Sequence, residues 1–126
     1  GFGRPGTEAG YNWQAMSLSM NADKVTTPLL IHASDHEYIS ALQSVVRLKE
    51  VGKPVDMYMF TGEYHIKWSP QHRFHIYQRN IDWFNFWLRG MKDHDPVKAR
   101  QYDHWEAMRK EVYSSILSTS PEKLKK

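Results

Sequence analysis

One histidine in this chain has the setting of a catalytic base. His65 lies in the stretch FTGEYHIKW, residues 60–68, directly after a short apolar run. An imidazole, whose ordinary pKa is about 6.5, can take up and release a proton at neutral pH. A loop histidine can equally be a solvated side chain or a metal ligand, so the groups brought next to it decide its role.

Carboxylates that could orient this histidine follow an earlier apolar run. The stretch SDHE, residues 34–37, contains Asp35 and Glu37, and Asp35 precedes His65 by 30 residues. A carboxylate that accepts a hydrogen bond from one ring nitrogen fixes the tautomer of a histidine and stabilises the imidazolium. Polar residues near these loops also have simpler possible roles. Ser34 and Asp35 could cap the next helix, and Glu63, on the loop of His65, could be an acid that binds nearby backbone.

The elements around these residues form a strand, a helix and a second strand. Pro28 introduces the buried strand Leu29–Ala33, and Val55–Phe60 is the second strand. Between them, apolar residues at helical spacing predict a helix over 38–51 that ends at Gly52. The residues expected on its inner face are Tyr38, Ile39, Leu42, Val45 and Val46.

This order of elements brings the acid and the histidine together. A strand–helix–strand unit has parallel strands and a right-handed crossover, so both strand ends share one edge of the sheet. Ligands and catalytic groups gather at that edge in open α/β sheets. The topology therefore predicts an acid–histidine dyad, with Asp35 as the expected acid and His65 as the base.

Two long helices are expected after the site. The first begins at Pro70 and ends before Gly90, and the second lies within residues 97–117. We expect the first helix to cover a sheet with one broad face. It is formed by Phe74, Tyr77, Ile81, Phe84 and Leu88 and widened by Ile76, Trp83 and Trp87. Residues 1–92 would then form the catalytic segment, and residues 93–126 a helical extension with a basic tail.

Composition excludes several classes of function. The 17 basic residues are interleaved with 14 acidic ones, for a net charge of +3, so nucleic acid is not an expected partner. The chain contains no cysteine, which excludes disulfides and thiolate chemistry. No apolar run is long enough for a membrane span, so we expect a soluble protein with no membrane partner. The compartment stays open, with the cytoplasm favoured.

The remaining histidines invite a metal hypothesis. His72 and His75 lie three residues apart, and Asp93, His94 and Asp95 form a second cluster. Zinc needs three or four convergent ligands, and no H-E-x-x-H motif is present. We therefore interpret His72 and His75 as residues on the solvated side of a helix, and we expect no metal and no cofactor.

Three stretches together resemble a known family. VTTPLLIHASDHEY, RLKEVGKPVDMYMFTGEYHIKW and NIDWFNFWLRG look like the C-terminal part of the catalytic domain of prolyl oligopeptidase family serine peptidases. Within that family, these stretches and ARQYDHW most resemble the lasso-peptide isopeptidases. The resemblance implies a C-terminal segment of an α/β-hydrolase fold, a peptide substrate that could be a lasso peptide, and Asp35 and His65 as triad acid and base.

Two departures from the family pattern change the expectation for the site. The turn after the first strand is about one residue shorter than usual, so Glu37 could replace Asp35 as the acid. The chain contains no G-x-S-x-G motif, and this fold places the nucleophile before the acid and the histidine. We therefore expect the serine and a propeller domain to lie upstream of Gly1.

On this basis the chain alone is expected to be inactive and prone to association. Two alternatives stay open. The chain could be a catalytically silent interaction module that uses its aromatic helix face, or it could belong to another α/β-hydrolase, such as a dipeptidyl or acylaminoacyl peptidase.

Overall fold

The computed structural model describes Arg4 and residues 7–119. Strand β1 is Leu29–Ser34 and strand β2 is Val55–Phe60, and they pair in parallel with Leu29 opposite Val55 and Ser34 opposite Phe60. Before the strands lie a short helix α1, Tyr11–Met16, and a 3₁₀ turn, Ala22–Lys24. The predicted parallel strand pair is confirmed.

The crossover helix connects the two strands and carries the core of this region. Helix α2, Tyr38–Glu50, places Val45 and Leu48 against Ala22 and Val55. Two residues of its predicted inner face are instead exposed, Ile39 and Val46. The prediction of that face is confirmed at Val45 and wrong at Ile39 and Val46. Helix α2 packs on both strands and on the 3₁₀ turn, and Val45 and Leu48 face them on a stripe that Ile39 and Val46 flank.

The two long helices follow as expected. Helix α3 is Pro70–Arg89, and helix α4 is Ala99–Thr119 after a 3₁₀ turn at Pro96–Lys98. Gly90 has a φ of +65°, which a glycine adopts readily after a helix end. Within the described residues, none of the helices is long and apolar enough to cross a bilayer.

Helix α3 buries a side that overlaps the predicted face only at its edge: Trp83, expected to widen that face, is buried, and so is Phe86, which lies outside it. Trp83 and Phe86 are almost fully buried, and their rings contact those of Trp105 and Tyr102 on α4. The aromatic rings of α4 therefore determine which side of α3 is covered. The face expected to lie on a sheet is exposed: Phe74, Tyr77, Ile81, Phe84 and Leu88.

The structure separates into two compact units, one up to Phe74 and the other from His75 onward. The first unit holds the strand pair, α2 and the first turn of α3, and the second holds most of α3 together with α4. This boundary differs from the predicted one after residue 92. Helix α3 continues through the point of division, so no loop marks it.

Candidate active site

The loops that follow β1 and β2 lie side by side. Ser34 and Phe60, the last residues of the strands, are paired in register. Beyond them the backbone N–H of Gly62 donates to Asp35 Oδ2 at 2.5 Å. The ring of His36 stacks on that of Tyr64, with 5.2 Å between centroids. Contacts between the two loops thus continue past the sheet, as the parallel topology predicts.

The next contact joins an acid to the candidate base. Nδ1 of His65 is hydrogen-bonded to Oε1 of Glu37. The His65 side chain is 88% exposed, so its other ring nitrogen is open to an approaching group. The structure therefore places Glu37, the alternative acid of the sequence analysis, against His65.

Asp35 occupies a different position. Its carboxylate accepts the N–H of Gly62, which has a φ of +72° and turns the chain into the histidine loop. The residue that caps α2 by position is Glu37, and its side chain makes no capping bond. The expected cap at Ser34 and Asp35 is therefore wrong. The Glu37 carboxylate accepts hydrogen bonds from Ser34 instead of from the first turn of α2. The Asp35 carboxylate links the two loops because it accepts the N–H of Gly62.

Glu37 is held by several donors at once. Its Oε2 accepts the backbone N–H of Ser34 at 3.2 Å, the Ser34 hydroxyl at 3.0 Å and Nζ of Lys67 at 3.3 Å. The contact with His65 and the bonds from Ser34, helped by Lys67, lower the pKa of Glu37 to about 2. The acid is therefore ionised at neutral pH, as an orienting carboxylate must be.

Lys67 is the site residue that sequence reasoning missed. Its side chain is only 7% exposed, and its Nζ also donates to the carbonyl oxygen of His65 at 3.1 Å. Lysine is among the residue types least often buried, so composition gives no reason to place it inside. The one available signal is its spacing of two residues from His65.

Glu63 fixes the loop that carries the histidine. It is buried and accepts the N–H groups of Trp68 at 2.7 Å and Ser69 at 3.0 Å, just before α3 begins. The N–H of Trp68 is the largest cause that lowers the pKa of Glu63, and a contact of 2.6 Å with Nδ1 of His72 adds to it. The interpretation of Glu63 as a loop acid that binds backbone is confirmed.

The histidines outside the site do not converge on a metal. His72, expected on a solvated side of the helix, instead lies between Glu63 and the ring of Phe60, 5.4 Å away between centroids. That expectation is wrong because the buried carboxylate draws the imidazole inward. In the part of the chain that the structure describes, no three metal-binding side chains come together.

Two parallel strands, a crossover helix, and an acid and a histidine on the loops that follow the strands are the features of an α/β-hydrolase. The model of the prolyl oligopeptidase family matches residues 1–91, and the chain belongs to this family. The expectation of an α/β-hydrolase segment is confirmed by the structural relatives.

The relatives narrow the comparison within the family. The lasso peptide isopeptidase AtxE2 from Asticcacaulis excentricus is 46% identical over 97 residues, or 77% of this chain. A structure of an AtxE2 serine-to-alanine variant with Astexin3-dC4 bound superposes with a TM-score of 0.78, at 43% identity over 84% of this chain. The AtxE2 apo structure gives 0.76, at 45% identity over 79%.

The chain matches only a small part of these relatives. It covers 14% of the curated relative and 16% and 15% of the two solved chains. The relatives thus extend well beyond the segment that this chain matches.

Proposed function

We propose that this chain supplies the acid and the histidine of a serine peptidase that hydrolyses peptide or isopeptide bonds, in the manner of a lasso-peptide isopeptidase. The contact between Glu37 and Nδ1 of His65 carries the proposal. Membership of the prolyl oligopeptidase family and the identity to AtxE2 support it. The serine-to-alanine variant with Astexin3-dC4 bound supports a serine nucleophile and a peptide substrate.

In this proposal each ring nitrogen of His65 has its own role. When Nδ1–H donates to Glu37, Nε2 carries the free lone pair and can accept the proton of a serine hydroxyl. The serine oxygen then attacks the substrate carbonyl, and the imidazolium returns the proton to the leaving amine. In the second half of the reaction a water molecule takes the place of the serine and releases the acyl group. Glu37 stays ionised throughout and stabilises the imidazolium.

We propose that the nucleophile comes from sequence outside this chain. No G-x-S-x-G motif occurs in the 126 residues, and the α/β-hydrolase order places the serine before the acid and the histidine. We therefore propose that an upstream part of the catalytic domain is the partner that completes the site, and that the chain alone is inactive.

The acid is Glu37 in this proposal, and Asp35, the acid that the sequence predicts, is the alternative. The contact of Glu37 with His65 favours Glu37, whereas the Asp35 carboxylate accepts a backbone N–H from the neighbouring loop. The two carboxylates therefore predict different consequences when each is made neutral.

The test uses the full-length protein and a fluorophosphonate probe that labels activated serines. We expect His65→Ala and Glu37→Gln each to slow labelling by about 10⁴-fold, since the serine loses its oriented base. Asp35→Asn should slow it by less than about tenfold, and His94→Ala, at an exposed position, should leave it unchanged. Normal labelling of His65→Ala would refute the proposal, and a loss with Asp35→Asn alone would assign the acid to Asp35.

A catalytically silent interaction module is the second candidate, and the exposed apolar face of α3 favours it. That face includes Tyr77, Phe84 and Leu88, each more than half exposed, and such surfaces mark contacts with other proteins. The same face leads us to propose that the isolated chain associates. Light scattering that shows a stable monomer would contradict the association, and failure of every full-length preparation to label would favour the silent module.

A further inference from the structure

We propose that Lys67 is a positioning residue that holds the Glu37 carboxylate in the orientation in which His65 is bound. This inference rests on the proposed function, because it concerns how the acid of that site is held. Lys67 does not reach the reacting atoms. It acts through the carboxylate and through the backbone of the histidine.

The bonds of Glu37 divide unevenly between its two oxygens. Oε2 takes all three bonds from Ser34 and Lys67, whereas Oε1 contacts His65. The terminal torsion of a glutamate is broad and roughly two-fold, so an unanchored carboxylate rotates freely. Anchoring one oxygen from two sides leaves the other in a single place, where Nδ1 of His65 meets it.

Lys67 differs from Ser34 because it lies on the histidine loop. Its ammonium donates both to Glu37 and to the carbonyl oxygen of His65, at 3.3 and 3.1 Å. An ammonium has three donors, so one group can bind the acid and the backbone of the base together. Lys67 therefore fixes the distance between the two loops at the position of the dyad.

The burial of Lys67 runs against the pattern of its neighbours. Ile66 and Trp68 are 70% and 76% exposed, whereas Lys67 between them is 8% exposed. Burying an ammonium is unfavourable unless its charge is paired. Exposing two large apolar side chains beside it is also unfavourable. The ion pair with Glu37 and the bond to the His65 carbonyl are the compensating contacts, so this inverted arrangement is tied to the site.

A double-mutant cycle in the full-length protein tests the proposal, with the fluorophosphonate probe as the reagent. We expect Lys67→Met to lower the maximal labelling rate by about tenfold to a hundredfold, as small misplacements of catalytic groups do, with the half-saturating probe concentration unchanged. In the Glu37→Gln background, Lys67→Met should cause no further loss, because Lys67 acts through that carboxylate. A purely structural role would give losses that add.

Matched variants keep the test decisive. Lys67→Arg keeps a charged donor and should label within about tenfold of the wild type. Lys49→Met, which removes an exposed lysine on α2, should have no effect. Circular dichroism reports folding, and if Lys67→Met unfolds, Lys67→Gln takes its place in the cycle.

Two results would overturn the inference: an unchanged labelling rate in Lys67→Met, or an equal loss in both backgrounds. The proposed function fails separately, when His65→Ala itself labels normally.

Discussion

Two carboxylates, one in each unit, show how similar groups serve different ends. Asp82 on α3 is buried and accepts bonds from Lys98, at 2.9 and 3.0 Å, and from Gln78 and Gln101. Glu37 is also paired with a lysine and bound by hydroxyl and backbone donors, yet it contacts His65, which is almost fully exposed. We call the first network closed because the direct partners of Asp82 are partly buried side chains, and the second open because it ends at an exposed imidazole.

The networks of Asp82 and Glu37 differ in the surroundings of the side chains that these carboxylates contact. The partners of Asp82 lie on α3 itself, on the 3₁₀ turn before α4 and on α4, so its bonds hold α3 to the segment that begins α4. Glu37 keeps its charge and contacts an imidazole whose other ring nitrogen is exposed. Under the proposed function, a paired carboxylate serves a reactive site when one of its partners still has an atom that another molecule can reach.

The largest effect is expected from a substitution that disrupts the core of the helical unit and leaves the contact between Glu37 and His65 intact. Trp105 is fully buried, and its ring lies 5.0 to 5.6 Å from those of Trp83, Tyr102 and Phe86. Trp105→Ala should cost about 3–5 kcal/mol of local stability. Hydrogen exchange of α3 and α4 peptides in the full-length protein would measure it.

The control for this change is Trp68→Ala, which removes a ring that is 76% exposed and should cost less than about 1 kcal/mol. Equal exchange of the α3 and α4 peptides in both variants would contradict the idea that the aromatic core holds this unit.

A smaller effect is expected from opening the closed network. Asp82→Asn leaves Lys98 with one carboxylate partner, Asp93, at 2.7 Å, so the loss should be about 1–3 kcal/mol, below that of a fully unpaired buried charge. Asp103→Asn, at an exposed position on α4, is the matched control. Exchange of the same peptides measures both, and slower fluorophosphonate labelling in Asp82→Asn would contradict a purely structural role.

The strands, the crossover helix and the juxtaposed loops could be predicted from the sequence because they depend on local patterns. The continuous apolar runs, Gly52 and the spacing of apolar residues are each sufficient to define an element. Parallel pairing then follows from chain order alone. For the same reason the loops of Asp35 and His65 could be expected side by side before any contact was known.

The faces of the helices and the identity of the orienting carboxylate could not be predicted in the same way. Asp35 and Glu37 lie two residues apart, and only the path of the turn after Ser34 decides which of them reaches His65. Lys67 is buried because of a partner 30 residues earlier, a pairing that local sequence does not encode. The buried side of α3 depends on which rings α4 presents.

A third prediction separates two effects of replacing a glycine in a turn. One is the backbone strain that a side chain causes there, and the other is a change in the position of the loop that follows. Gly62 and Gly52 have φ values of +72° and +69°, and neither has an atom within 4 Å of an added Cβ. Alanine at either position should therefore cost about 1–2 kcal/mol through the backbone alone. Urea unfolding of the chain measures both losses.

The two glycines lead into different segments of the chain. The N–H of Gly62 binds Asp35 and its loop leads to His65, whereas Gly52 lies in the turn before β2. Only Gly62→Ala should also slow fluorophosphonate labelling in the full-length protein. Equal labelling by the two variants would show that this bridge does not position the histidine.

The smallest expected effect is the pH dependence of the contribution that Glu37, in the open network, makes to the free energy of unfolding. The pKa of Glu37 is lowered to about 2 from an ordinary 4.5, chiefly by the contact with His65. A carboxyl whose pKa is depressed by folding stabilises the folded state above its unfolded pKa. That contribution decreases as the pH falls from about 4.5 to about 2. Because His65 is exposed, we expect it to be on the order of 1 kcal/mol.

Glu37→Gln isolates this contribution, since an amide does not titrate. The difference in unfolding free energy between the wild type and Glu37→Gln should shrink steadily as the pH falls from about 4.5 towards about 2. Urea unfolding at a series of pH values gives both curves, and carboxyls common to the two proteins cancel in the difference. A difference at pH 2 equal to that at pH 6 would mean that Glu37 gains nothing from its charge in the folded state, and the contrast with the closed network of Asp82 would then lose its electrostatic basis.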